Sequence, residues 1–108
     1  MENLIKNFLT LTNAFDVDRA SNLFTENAII DDVSVGEKFE NIDGIRDYIE
    51  RFFVGYHTQT KLKVIEVKGP LTAKAQVDFT GDFGYEKGVL DFTFTKQGLI
   101  VQIDAYLE

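Results

Sequence analysis

The stretch Ala73-Lys74-Ala75-Gln76-Val77-Asp78-Phe79-Thr80 decides the fold, because small or apolar residues alternate strictly with polar ones. That is the period of a strand whose two faces meet different surroundings. Leu90-Asp91-Phe92-Thr93-Phe94-Thr95 repeats the pattern. Ile103, Ala105 and Leu107 extend it, with Gln102, Asp104 and Tyr106 on the opposite parity. Working outward, the breaks Gly69-Pro70, Gly84 and Lys96-Gln97-Gly98 separate four predicted strands, Leu62–Lys68, Ala73–Phe83, Lys87–Thr95 and Leu99–Leu107, joined as a meander. One face of that sheet is apolar and asks for a cover.

The cover is legible upstream, where the period is 3.6. Leu4, Phe8, Leu11 and Phe15 form one stripe of a first helix. Asp16 or Asp18 caps a short second helix with Ala20, Leu23 and Phe24 on its buried face, closed by Glu26-Asn27. Ala28–Val35 reads as a strand, stopped at Gly36 and followed by a polar loop, Glu37–Glu40. Ile45, Tyr48, Ile49, Phe52 and Phe53 define the third helix, capped by Asn41 or Asp43 and stopped at Gly55. The expectation is a single α+β domain over residues 1–108, with three N-terminal helices packed on a curved, mainly antiparallel sheet of about five strands.

Composition narrows the function. A chain of 108 residues, 44% hydrophobic, supports one core. No apolar run reaches the roughly 18 residues a membrane span needs, and Met1–Thr10 lacks a basic-then-apolar leader pattern, so a cytoplasmic location is expected. With no cysteine and only His57, sulfur-based or histidine-based metal sites are disfavoured, and no cofactor is implied. A net charge of -7 opposes nucleic acid and anionic membrane surfaces. A small apolar molecule is the partner this composition suits.

Leu23-Phe24-Thr25-Glu26-Asn27-Ala28, the Ala28–Gly36 segment with Asp31-Asp32, Ile45-Arg46 opening the third helix, and Gly98–Leu107 ending in Asp104-Ala105-Tyr106 stand in a familiar order. The chain resembles the nuclear transport factor 2-like superfamily, in its ketosteroid isomerase and SnoaL-like polyketide cyclase branch, over essentially its whole length. The resemblance implies a cone-shaped fold around a pocket, with isomerases, cyclases, hydrolases, dehydratases and non-enzymes among its users. It places Asp32 at the position of the isomerase base, although Val33 stands where a proline commonly follows. The isomerase oxyanion donors fall at Phe8 and Leu90, neither of which can donate, and Asp91 has the outward parity. Homodimers that pair through the outer sheet face are also implied, here with Ile100 and Tyr106 among Asp78, Thr80, Asp91, Thr93 and Gln102.

The candidate catalytic residue is therefore Asp32, either a desolvated base pointing inward with Ile30 or a strand-end carboxylate facing water. The candidate ligand-binding residues are Phe8, Tyr48, Phe52, Phe79, Leu90, Phe92 and Ile103. Tyr48 serves either as core or as a replacement hydroxyl donor. His57 stands at a pocket mouth or in solvent, and Asp31, Asp78 and Asp82 fall on the outward parity. Three classes of function follow: a cofactor-free isomerase-type or cyclase-type enzyme with Asp32 as base, a ligand-binding module without chemistry, and a dimerisation scaffold whose pocket is filled core.

Overall fold

The computed structural model describes residues 1–108 as α1 (Glu2–Asn13), α2 (Val17–Ser21), β1 (Phe24–Asp32), β2 (Glu37–Glu40), α3 (Asn41–Ile49), β3 (Gln59–Gly69), β4 (Thr72–Gly81), β5 (Gly84–Phe94) and β6 (Ile100–Leu107). The strands form one open six-stranded sheet in the order β2-β1-β6-β5-β4-β3. All neighbours are antiparallel except β1 and β6, which run parallel. The predicted meander is β3 to β6.

Parity sorts the faces as alternation requires. Ala73, Ala75, Val77, Leu90, Phe92, Phe94, Ile103 and Ala105 are buried under the helices, while Lys74, Asp91 and Asp104 lie in register with one another on the other face. On β1 the inward row is Ala28, Ile30 and Asp32. Helix α1 seals the core with Ile5, Phe8, Leu9 and Thr12, a set turned slightly from the predicted stripe. Phe8 stands edge-on to Phe24, Phe53 and Phe92, with centroids 5.7, 6.4 and 5.7 Å away. Burying one such ring is worth about 1.5–3 kcal/mol.

The structure departs from the sequence reading in five places. The second helix ends at Ser21, and Phe24 already opens β1, because the Ile100 N–H bonds Leu23 O and draws the chain alongside β6. Glu37–Glu40 is a sixth strand, not a loop: Gly36, at φ +72°, closes a tight turn back onto the Asp32 carbonyl, and β2 then buries Phe39. Neither predicted cap bonds the third helix through its side chain, and Asn41 instead takes φ +65° at its entry. That helix runs on as a π turn, Glu50–Val54, whose wider ring closes where Gly55 N–H meets Glu50 O. Finally, a register shift between Thr93 and Phe94 turns Ile100 into the core and removes it from the outer face.

Candidate functional site

At one end of the cone the concave face stays open. The β1–β2 turn, the π turn after α3 and the β4–β5 hairpin converge there around a cavity of about 320 Å³ lined by 12 residues, eight of them hydrophobic. The inward row of β5 runs Phe92, Leu90, Gly88, Glu86, so the core gives way to a glycine and then to an acid at the rim. Gly88 makes room for an aromatic ring: a Cβ there would overlap Phe79 Cε2 and force that ring to shift.

The aromatic wall comes from α3 and its extension. Tyr48, Phe52 and Tyr56 recur every four residues and pack at 5.0 and 6.2 Å between centroids, and Phe83 from the hairpin meets Tyr56 at 6.1 Å. Phe53, on the adjoining side, reaches Phe79 at 6.5 Å. A π turn widens the helix and changes which side chains share a face. Here it brings Phe52, Phe53 and Tyr56 all to the cavity.

At the head of the cavity Asp32 is only 6% exposed. Its Oδ1 accepts from the Ser34 N–H at 3.0 Å and the Ser34 hydroxyl at 2.5 Å, and its Oδ2 accepts from the Tyr48 hydroxyl at 2.5 Å. A carboxylate has about four acceptor positions, so one is left for a ligand. Burial, reinforced by the negative charge of Asp32 and the hydrogen bond to it, pushes the Tyr48 phenol well above its ordinary range, so it remains a donor. No cation joins the cluster: none of the ion pairs in the chain includes Asp32.

Sequence comparison adds the family. The model of the SnoaL-like domain matches residues 5–103. The chain belongs to the SnoaL-like domain family. No curated protein matches this SnoaL-like domain by sequence, but solved structures share its fold. SalBIII, described as an epoxide hydrolase/cyclase-like enzyme with a role in pyran ring formation in the polyether salinomycin, superposes with a TM-score of 0.87 at 20% identity, covering 99% of this chain and 89% of its own. RV0760c from Mycobacterium tuberculosis, in complex with estradiol-17beta-hemisuccinate, gives 0.85 at 14% identity, with 97% and 91% covered. A computationally designed 17-OHP binder gives 0.85 at 13% identity, with 97% and 90% covered. At such identities the likeness establishes the fold.

In the SnoaL-like domain, Asp32, Tyr48, Phe52 and Phe79 line the cavity. Phe8, Leu90, Phe92 and Ile103 do not. They lie deeper, in the packed core beneath α1, each no more than 3% exposed. Ser34, Val35, Phe53, Tyr56, Thr58, Phe83, Glu86 and Leu107 line the cavity without being among the candidate ligand-binding residues. The signals were there for some: Tyr48, Phe52 and Tyr56 are spaced by four, and Glu86 continues the inward parity of Leu90. His57 sits outside the cavity at φ +52°, its Nδ1 2.9 Å from Asp82 Oδ2, fastening the end of the π turn to the hairpin. Asp78 takes the Tyr85 hydroxyl at 2.9 Å on the solvated face.

Chemically, the site offers one strong acceptor and few free donors. The Tyr48 and Ser34 hydroxyls are spent on Asp32, and the Thr58 hydroxyl donates to the Phe52 carbonyl at 2.6 Å. Phe8 and Leu90, where the resemblance puts oxyanion donors, are apolar and buried.

Proposed function

We propose that this SnoaL-like domain holds a small hydrophobic molecule in the open cavity, with a polar group of that molecule hydrogen-bonded to Asp32. The observation that carries the reading is a buried carboxylate with one acceptor position to spare at the head of a mainly apolar, aromatic cavity. Two fold neighbours lend support, one in complex with estradiol-17beta-hemisuccinate and one designed to bind 17-OHP.

A second reading gives Asp32 the role of base in an isomerase-type or cyclase-type proton transfer next to a carbonyl. Its burial favours this. The lack of a free donor for the developing oxyanion weighs against it, since losing one such donor costs on the order of a hundredfold or more in rate. The two separate with 2-tetralone in deuterium oxide, followed by proton NMR for wild type and Asp32→Asn. Binding without exchange beyond the buffer rate selects the binding reading. Exchange that Asp32→Asn abolishes selects the base, and failure of both 2-tetralone and 2-naphthylmethanol, whose hydroxyl can donate to Asp32, to bind overturns both.

The domain is further proposed to act in the cytoplasm and to pair as a homodimer through the outer face of the sheet. Tyr106, half-buried on that face beside Val89, gives it an apolar centre, and Lys74, Asp91, Gln102 and Asp104 give it a polar surround. The absence of cysteine means that nothing in the chain calls for an oxidising compartment. Sedimentation at tens of micromolar tests the pairing, and a monomer would refute it.

A further inference from the structure

The cavity wall carries acids and no base. Asp32 and Glu86 line it, whereas none of the 11 lysines and arginines does. Arg51 lies 5.1 Å from the Phe52 ring centre but is engaged with Glu37 and Asp47 at 3.6 and 3.4 Å. Lys87 lines a neighbouring depression with Tyr85, Glu86, Leu107 and Glu108, which shares Glu86 and Leu107 with the cavity but brings no lysine onto the cavity wall. Asp32 accepts from neutral donors only, so a buried carboxylate remains without a compensating positive charge.

Six of the other ten lining residues are tyrosine or phenylalanine rings. The faces of such rings are electrically negative and attract an organic cation, more strongly when it is desolvated. A neutral alcohol can donate a single hydrogen bond to Asp32 without offsetting its charge, a ketone has no proton to donate, and an anion would be repelled by both acids. The net charge of -7 draws cations toward the protein in the first place.

We infer that the ligand of this cavity is a hydrophobic organic cation: a protonated amine or quaternary ammonium group on an apolar skeleton. Its cationic head rests on Asp32 within the field of Glu86, and its skeleton lies against the rings. This rests on the proposed reading that the cavity holds a small hydrophobic molecule, and it names the chemistry of that molecule.

Three probes on one skeleton test it: 2-naphthylmethylamine, 2-naphthylmethanol and 2-naphthoate, titrated calorimetrically into wild type and Glu86→Gln, with circular dichroism reporting that the variant folds. The amine is expected to bind about tenfold or more tighter than the alcohol, with the naphthoate weakest. Glu86→Gln, a change at the exposed rim, should narrow the amine-to-alcohol ratio severalfold. Alcohol binding as tight as amine binding overturns the cation inference and leaves the hydrophobic-ligand reading standing. Failure of all three to bind overturns both.

Discussion

The Tyr48 hydroxyl donates to Asp32 Oδ2 at 2.5 Å, and this bond ties helix α3 to the end of strand β1 at the head of the cavity. Tyr48→Phe keeps the ring and removes the donor, leaving a buried carboxylate oxygen short of a partner. A hydrogen bond to a charged group is worth about 1.5–3 kcal/mol, and urea unfolding should show a loss of that size. An unchanged midpoint would mean that the bond contributes nothing.

The same pair fixes a pH dependence. Burial first, and the charge of Asp32 second, raise the Tyr48 phenol in the folded state. The folded chain therefore keeps a proton that the unfolded chain surrenders near pH 10. Tyr48 contributes this stability in full below that pH, and it is lost as the pH climbs above it. Asp32→Asn removes the charge but not the burial, so it should soften the alkaline loss without abolishing it. Spectroscopic titration of tyrosinate alongside denaturation at several alkaline pH values measures both.

Gly88→Ala tests how the cavity is shaped. The new methyl group overlaps the Phe79 ring, and the ring's free side is the cavity. Overpacking of this kind costs about 1–3 kcal/mol. The ring should move into the cavity and lower the affinity for 2-naphthylmethanol by more than any change in the folded fraction explains. Full affinity would show that Phe79 has room elsewhere.

Ile103→Val separates core from lining. Ile103 is buried among core side chains and does not reach the cavity, so the change should cost about 0.5–1.5 kcal/mol of stability and leave ligand affinity as it was. Phe52→Leu, made on the wall itself, should do the reverse in affinity. Equal losses of affinity in both variants would erase the distinction.

That distinction marks where the sequence stops being legible. Alternation in Ala73–Thr80 and Leu90–Thr95 told inward from outward, because each apolar side chain must choose one face of the sheet. It could not tell depth along that face: Leu90 and Glu86 share a parity, yet one is core and the other rim, and only the curvature of the sheet and the length of α3 separate them. The π turn was hidden for a similar reason, since Ile45, Tyr48, Ile49 and Phe52 fit an ordinary helix up to the point where Gly55 closes the wider ring. Strand β2 was missed because its three charged residues outvote Phe39, the one side chain it buries. Asp32 was placed by resemblance to a family, and its partners Ser34 and Tyr48 became visible only once the β1–β2 turn and α3 were folded against each other.

The cavity at Asp32 is the proposed binding place of a small hydrophobic molecule. The most direct measurement is an NMR titration of the labelled wild-type protein with 2-naphthylmethylamine. Saturable shifts should be concentrated on Asp32, Tyr48, Phe52, Tyr56, Phe79 and Phe83, with Phe8, Phe92 and Ile103 moving little. Shifts centred on the outer face around Lys74 and Tyr106, or no saturable shifts at millimolar probe, would contradict it.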